Sequence, residues 1–173
     1  MIRDRVAETL DANPIEGLLF VNLHAMELDD DSIMMPDAPL SRHAHRVVLE
    51  ITERAPLERI RDVTGRVAQL RALGYRIAVD DLGAGYAGLT SFAHLEPEVV
   101  KVDMSLVRGI DGSAVKQKLV RSIIALCTEL GIQLVAEGIE TASERDTLVA
   151  LGGDLCQGYL FSKPMRGFPD PKF

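Results

Sequence analysis

Residues 76–89 read RIAVDDLGAGYAGL, and the fold turns on how this stretch is read. Ile77, Ala78 and Val79 form a short apolar run of the kind carried by a strand buried on both faces. The run ends in two adjacent carboxylates, Asp80 and Asp81. A loop with Gly83 and Gly85 follows, and glycine opens backbone angles closed to other residues. Adjacent acids at the end of a buried strand repel unless a cation or a proton stands between them. Taken alone, the pattern also fits a plain turn that Asp81 caps. The rest of the chain decides between the two.

Working outward, the same punctuation recurs. Residues 18–22 (LLFVN) and 47–51 (VVLEI) read as strands upstream, and 98–102 (EVVKV), 133–137 (QLVAE) and 157–161 (QGYLF) read as strands downstream. Helical spacing fills the gaps. Val6 and Leu10 share a face near the N-terminus, and Thr52, Glu53 and Pro56 look like a helix start. Leu57, Ile60, Val63, Val67 and Leu70 continue that helix to a stop at Gly74. Val115, Leu119, Ile123, Leu126 and Leu130 mark the strongest apolar stripe, ending at Gly131. Thr141 and Glu144 form a capping-box pattern that opens a last helix, stopped by Gly152 and Gly153. Residues 23–46 resist assignment, with an acidic run at Asp29, Asp30 and Asp31 and with Pro36 and Pro39 limiting any helix. Strand and helix alternate six times, which predicts an α/β fold with a parallel sheet and outer helices.

Each strand carries a polar residue near its C-terminal end: Asn22, Glu50, Asp80 with Asp81, Lys101, Glu137 and Gln157. A closed barrel of parallel strands gathers those ends on one face, whereas an open doubly wound sheet brings only some together. Carboxylates, an amide and a lysine on one rim suit hard divalent cations such as Mg2+ or Mn2+. His24, His43, His45 and His94 lie off the strand ends, which disfavours a histidine-rich zinc site. Each residue also has a plainer reading. Asn22 could cap a loop, Lys101 could neutralise a neighbouring acid, and Glu137 could serve a helix entry. Glu50 requires a partner under any reading, because an unpaired charge inside an apolar strand is costly. The coincidence at all six ends is the signal.

Bulk properties agree. The 173 residues are 47% hydrophobic, enough to bury one core, so a single domain or part of a larger one is expected. A net charge of −7 argues against a nucleic-acid polymer or an anionic membrane surface as partner, though not against a phosphorylated small molecule offset by a metal. There is no apolar run of membrane-spanning length, and the charged N-terminus does not resemble a signal peptide. Cys127 and Cys156 have no metal-ligand spacing, which fits a reducing, cytoplasmic setting.

At these residues the sequence resembles the EAL family of cyclic di-GMP phosphodiesterases. The segments are VNL (21–23), LEITE (49–53), DDLGAGYAGL (80–89), VVKVD (99–103), AEGIET (136–141) and QGYLFSKP (157–164), in the family's order. The resemblance implies a TIM-like (β/α) barrel that hydrolyses cyclic di-GMP to linear pGpG with two divalent metals, Mg2+ or Mn2+. It implies Asn22, Glu50, Asp80, Asp81 and Glu137 as metal ligands, with Lys101 on the attacking water and Glu137 as ligand or base. Gln157 would support that centre, and Glu53 and Glu140 would hold the loop after Asp81. It also implies a homodimer formed through the loop and helix after Asp81.

The chain departs from the family pattern in places. Leu82, Ala84, Ala87 and Gly88 replace more usual residues, as do His24 and Ala25, and the stretch from Asn22 to Glu50 is short. The naming Glu-Ala-Leu segment, whose Glu is a further ligand, and its accompanying Arg have no match; the Ala-Met-Glu-Leu run at 25–28 lies on the wrong side of Asn22. The six strands therefore count as the third to eighth of an eight-stranded barrel, an incomplete one. Its terminal strands, 18–22 and 157–161, would be left as open apolar edges, which natural sheets avoid. The expectation is that residues 1–173 are one domain's C-terminal portion, weakly active or inactive alone, or completed by another chain. The alternatives are a non-catalytic cyclic di-GMP receptor or dimerisation module, and another Mg2+-dependent barrel hydrolase.

Overall fold

The computed structural model describes residues 2–12, 17–52, 57–84 and 88–165. Among these, six strands form a sheet in which each pairs with the next in chain order. Strand β1 (Leu19–Asn22) pairs in parallel with β2 (Val47–Thr52), and β5 (Gln133–Ala136) pairs in parallel with β4 (Val99–Val102) and β6 (Leu155–Cys156). A doubly wound sheet reverses its order at a switch point, whereas a barrel progresses in one direction. The unbroken order is that of an incomplete TIM-like barrel. Two compact units make up the chain, residues 1–79 with 87–98, and residues 80–86 with 99–173.

In the first unit, α1 (Ile2–Ala12) buries Ala7 and Leu10. Strand β1 (Leu19–Asn22) lies parallel to β2 (Val47–Thr52) in a register that sets Asn22 opposite Glu50. The segment between them, unreadable in sequence, is three 3-10 turns at Ala25–Asp29, Asp31–Met34 and Pro39–Arg46. Local side-chain caps hold the first two of these tight turns: His24 closes a capping box with Glu27, and Asp30 accepts the Ser32 N–H at 2.9 Å, whereas the third starts at Pro39 with no side-chain cap. Helix α2 (Val63–Ala72) starts at an Asp62 cap and buries Val63, Val67 and Leu70. The helix start read at Thr52, Glu53 and Pro56 falls largely outside the described residues, and its first described turn, Leu57–Arg59, is 3-10. Helix α3 (Gly88–Leu95) follows the loop after Asp81. Arg71 on α2 binds the Glu98 carboxylate at 2.6 Å, and Glu98 also accepts the Ile77 N–H at 2.7 Å.

Strand β3 (Arg76–Leu82) passes from the first unit into the second at Asp80. The second unit continues with β4 (Val99–Val102), buried throughout, and α4 (Met104–Val107), a short helix with no clear sequence signal. Then come α5 (Ala114–Leu130), β5 (Gln133–Ala136), α6 (Ala142–Ala150) and β6 (Leu155–Cys156). The α6 capping box of Thr141 and Glu144 forms as read.

One reading is refined and one needs correction. The apolar stripe read along α5 is mostly exposed: Leu119 is 49% and Leu130 57% accessible, and Val115 and Leu126 are exposed as well. The buried stripe is Val120, Ile124 and Cys127. The helix carries two apolar stripes of helical period, and period alone does not say which one meets the sheet. The last strand is also shorter and earlier than 157–161. It ends at Cys156, and residues 158–161 form a turn closed by Phe161 N–H to Gly158 O at 3.1 Å. A Cβ on Gly158 would lie 2.1 Å from the Ile139 oxygen, so backbone meets backbone there where a strand would need side-chain room.

Candidate metal centre

The second unit's strand ends bring the acids together. Past their last paired residues, the strands are linked by further backbone bonds. Asp103 N–H donates to Leu82 O (3.0 Å), Glu137 N–H to Val102 O (3.1 Å) and Gln157 N–H to Ala136 O (2.8 Å). These bonds set the side chains that follow each strand at one level. One carboxylate oxygen from each of Asp80, Asp81 and Glu137 lies within 4.8 Å of the others. Lys101, only 5% exposed, reaches in from the middle of β4. Its Nζ stands 2.6 Å from Glu137 Oε1 and 3.2 Å from Asp80 Oδ1.

These groups leave a formal charge of −2, three carboxylates against one ammonium. An all-oxygen donor set with that balance suits a hard divalent cation; a softer metal would favour sulfur or imidazole. The half-buried position strengthens the case, because clustered carboxylates repel more in a medium less polar than water.

Backbone conformation aims the carboxylates. Asp81 has φ 60°, a left-handed conformation that Asp tolerates better than most residues because its short side chain bonds locally. Gly138, next to Glu137, has φ 72°, and a Cβ there would come within 2.4 Å of Met104 Cβ. The loop bearing Glu137 therefore lies flat against α4.

Beside the acids is a cavity of about 270 Å³, lined by Asp81, Asp103, Arg108, Glu137, Gln157 and Tyr159 among others. Asp103, Arg108 and Tyr159 were not singled out from the sequence. Asp103 stands directly after a strand, at a strand-end position like the others, but it caps α4 by accepting the Ser105 N–H at 2.9 Å. Arg108 had no sequence signal, since its partner Glu140 is 32 residues away. Its guanidinium holds both Glu140 oxygens, with Nη2 to Oε1 at 2.5 Å and Nη1 to Oε2.

The other sequence candidates are placed as follows. Gln157 is exposed at the cavity's edge. Asn22 and Glu50 sit opposite each other at the ends of β1 and β2 in the first unit, with Leu23 N–H donating to Glu50 O at 2.9 Å and Glu50 5% exposed. Glu53 lies outside the described residues.

Against known proteins, the chain matches the family described as "EAL domain" over residues 1–164. It is 33% identical over 149 residues to "Cyclic di-GMP phosphodiesterase PdeR" of Escherichia coli (strain K12), covering 84% of this chain and 22% of that protein. It is 30% identical over 174 residues to "Blue light- and temperature-regulated antirepressor BluF" of the same organism, covering 89% of this chain and 43% of that one. Among solved structures it is similar to Klebsiella pneumoniae BlrP1 in a manganese/cy-diGMP complex at pH 9.0. That likeness has a TM-score of 0.85 at 34% identity, over 94% of this chain and 43% of the other. The chain thus spans less than half the length of these relatives.

Proposed function

The chain belongs to the EAL domain family, and from that premise we propose that it hydrolyses one phosphodiester bond of cyclic di-GMP to give linear pGpG. The observation that carries the reading is the convergence of Asp80, Asp81 and Glu137 around Lys101, leaving a formal −2 charge beside an open cavity.

Asp80, Asp81 and Glu137 would hold divalent metal, Mg2+ or Mn2+, and the family resemblance adds Asn22 and Glu50 as further ligands. When bound, the metals supply Lewis-acid stabilisation of the phosphate charge and a more acidic water. The chain's own groups do the rest. Glu137 is the general base: a carboxylate oxygen takes a proton from the attacking water as the water oxygen bonds to phosphorus, the P–O3′ bond breaks, and the leaving O3′ is protonated from solvent to the 3′-hydroxyl. Lys101 keeps Glu137 and Asp80 aimed through its contacts to both, and its ammonium would contact the attacking water and steady the negative charge that builds on the phosphate. Arg108 and Tyr159 line the space available to the rest of the nucleotide.

The same reading includes a cytoplasmic location, and among the described residues no helix is long and apolar enough to cross a membrane. It also includes residues 1–173 being the later part of one EAL domain, strands three to eight. A homodimer formed through the loop and helix after Asp81 belongs to it too.

The test is product analysis with cyclic di-GMP and Mn2+ or Mg2+, using this chain and a version extended upstream by two strand–helix units. Linear pGpG that disappears on chelation supports the proposal. Nucleotide binding by both forms with turnover by neither contradicts it and favours the receptor reading.

A further inference from the structure

Glu144 is a 5% exposed carboxylate outside the cavity, and the capping box accounts for only half of what it holds. Its Oε2 accepts the N–H groups of Glu140 and Thr141, both at 3.0 Å, while its own N–H donates to Thr141 Oγ1 at 3.2 Å. Those bonds are local, and the two that join Glu144 and Thr141 are what any such box makes. The other oxygen is committed elsewhere. Oε1 accepts the N–H of Gly109 at 2.8 Å, across 35 residues of sequence. Gly109 follows Arg108 in the turn after α4, and Arg108 itself grips Glu140. The loop from Glu137 to Glu140 is thus fastened at its far end to the segment that follows β4, the strand of Lys101.

We propose that Glu144 is a positioning residue for the metal centre, locking the 137–140 loop to the turn after α4 and so holding Glu137 against Lys101. The inference rests on the reading of Glu137 and Lys101 as the working groups of that centre. Burial pushes the Glu144 carboxyl up, but the backbone donors of Gly109, Glu140 and Thr141 outweigh it and hold the group below the usual range. It therefore accepts all three bonds as an anion at neutral pH.

Glutamine separates the two roles. A capping box works with Glu or Gln, because one acceptor oxygen serves it. Glu144→Gln would then turn its amide N–H toward the Gly109 N–H, donor against donor. The experiment compares wild type, Glu144→Gln and Glu144→Ala by amide hydrogen exchange and by Mn2+ calorimetry, with Ser113→Ala (the α5 cap) as a matched loss of helix capping. In Glu144→Gln, Tm is expected to stay near wild type while the Gly109 and Gly138–Glu140 amides exchange about tenfold faster. Mn2+ affinity should fall by a similar factor, and in any cyclic di-GMP assay kcat should fall with KM held. Ser113→Ala should lower Tm without changing that exchange pattern relative to the rest of the domain. Wild-type exchange at Gly109 and 138–140 in Glu144→Gln would overturn the inference and leave Glu144 a helix cap. A wild-type chain that binds no Mn2+ and turns over no nucleotide would sink the proposed function, while the exchange comparison would still decide this one.

Discussion

The ends of β3 and β5 present acids to the same centre by different backbone means. At β3 the acid carries the unusual conformation itself: Asp81 is left-handed, with φ 60°, inside the strand's last residues. At β5 the acid Glu137 is followed by Gly138, and the glycine takes the left-handed angle, φ 72°. The first arrangement ties charge and conformation together in one residue. The second separates them, so that Glu137 can be altered without disturbing the turn, and the turn without touching the charge. Mutations should therefore act cleanly at β5 and in a mixed way at β3.

The largest expected effect is on chemistry. Glu137→Gln should lower cyclic di-GMP turnover by about 100-fold or more, the usual weight of a general base, with the circular dichroism spectrum unchanged. Asp80→Asn should do likewise. A Glu137→Gln chain retaining wild-type turnover would break the assignment of the β5 end.

The next effect is on stability. Gly138→Ala places a methyl 2.4 Å from Met104 Cβ and forces a left-handed alanine, so urea unfolding should show a loss of about 2 kcal/mol. Adding Met104→Ala leaves the close Cβ in place and should restore little, whereas Met104→Gly should restore part of the loss. Full recovery with Met104→Ala would show that the clash is with the outer side chain and that the loop is not flat against α4.

Smaller still are the changes at Asp81, which test the mixture directly. Asp81→Ala should lose about 1 kcal/mol, because alanine tolerates the left-handed region poorly. Asp81→Asn should lose less stability and Asp81→Gly little, relief of strain offsetting glycine's added chain entropy. All three should weaken Mn2+ binding. If stability falls equally in all three, charge matters to the fold at β3 and the contrast between the two ends disappears.

The smallest effect uses a reporter behind β5. Burial pushes the Cys127 thiol on α5 up to about 11. Its neutral form therefore stabilises the fold fully below pH 9, and that contribution is lost as pH rises through about 11. Alkylation of Cys127 at pH 8 should be slow in wild type and in the Asp81 variants, and faster in Gly138→Ala. Equal rates throughout would show that the β5 end moves independently of the helix packed on it.

Much of this was legible in the sequence for a definable reason. Strands buried on both faces read as unbroken apolar runs, so VVLEI, IAV and LVA declared themselves, LLFVN read the same way although Leu18 and Phe20 are exposed, and the acids interrupting or ending them stood out. Asp80, Asp81, Lys101 and Glu137 were accordingly visible as a set. Features settled by distant backbone were not. Gly158 against the Ile139 backbone turns QGYLF into a turn, and nothing local to those five residues says so. Residues 25–29, 31–34 and 39–46 form 3-10 turns, the first two capped by His24 and Asp30, too short to carry a period. On α5 two apolar stripes competed, and only contact with the sheet chose Val120, Ile124 and Cys127 over Leu119 and Leu130. Glu144 read as a cap because its second bond, to Gly109, spans 35 residues.

The central claim is that the acids at the ends of β3 and β5 form a divalent-cation site. The most direct measurement is calorimetric titration of Mn2+ into the wild-type chain and into Glu137→Gln. The account predicts saturable binding by the wild type and an affinity at least about tenfold weaker in the variant, the scale set by removing one charged ligand. Equal affinity in the two proteins, or no saturable binding by the wild type, would contradict it.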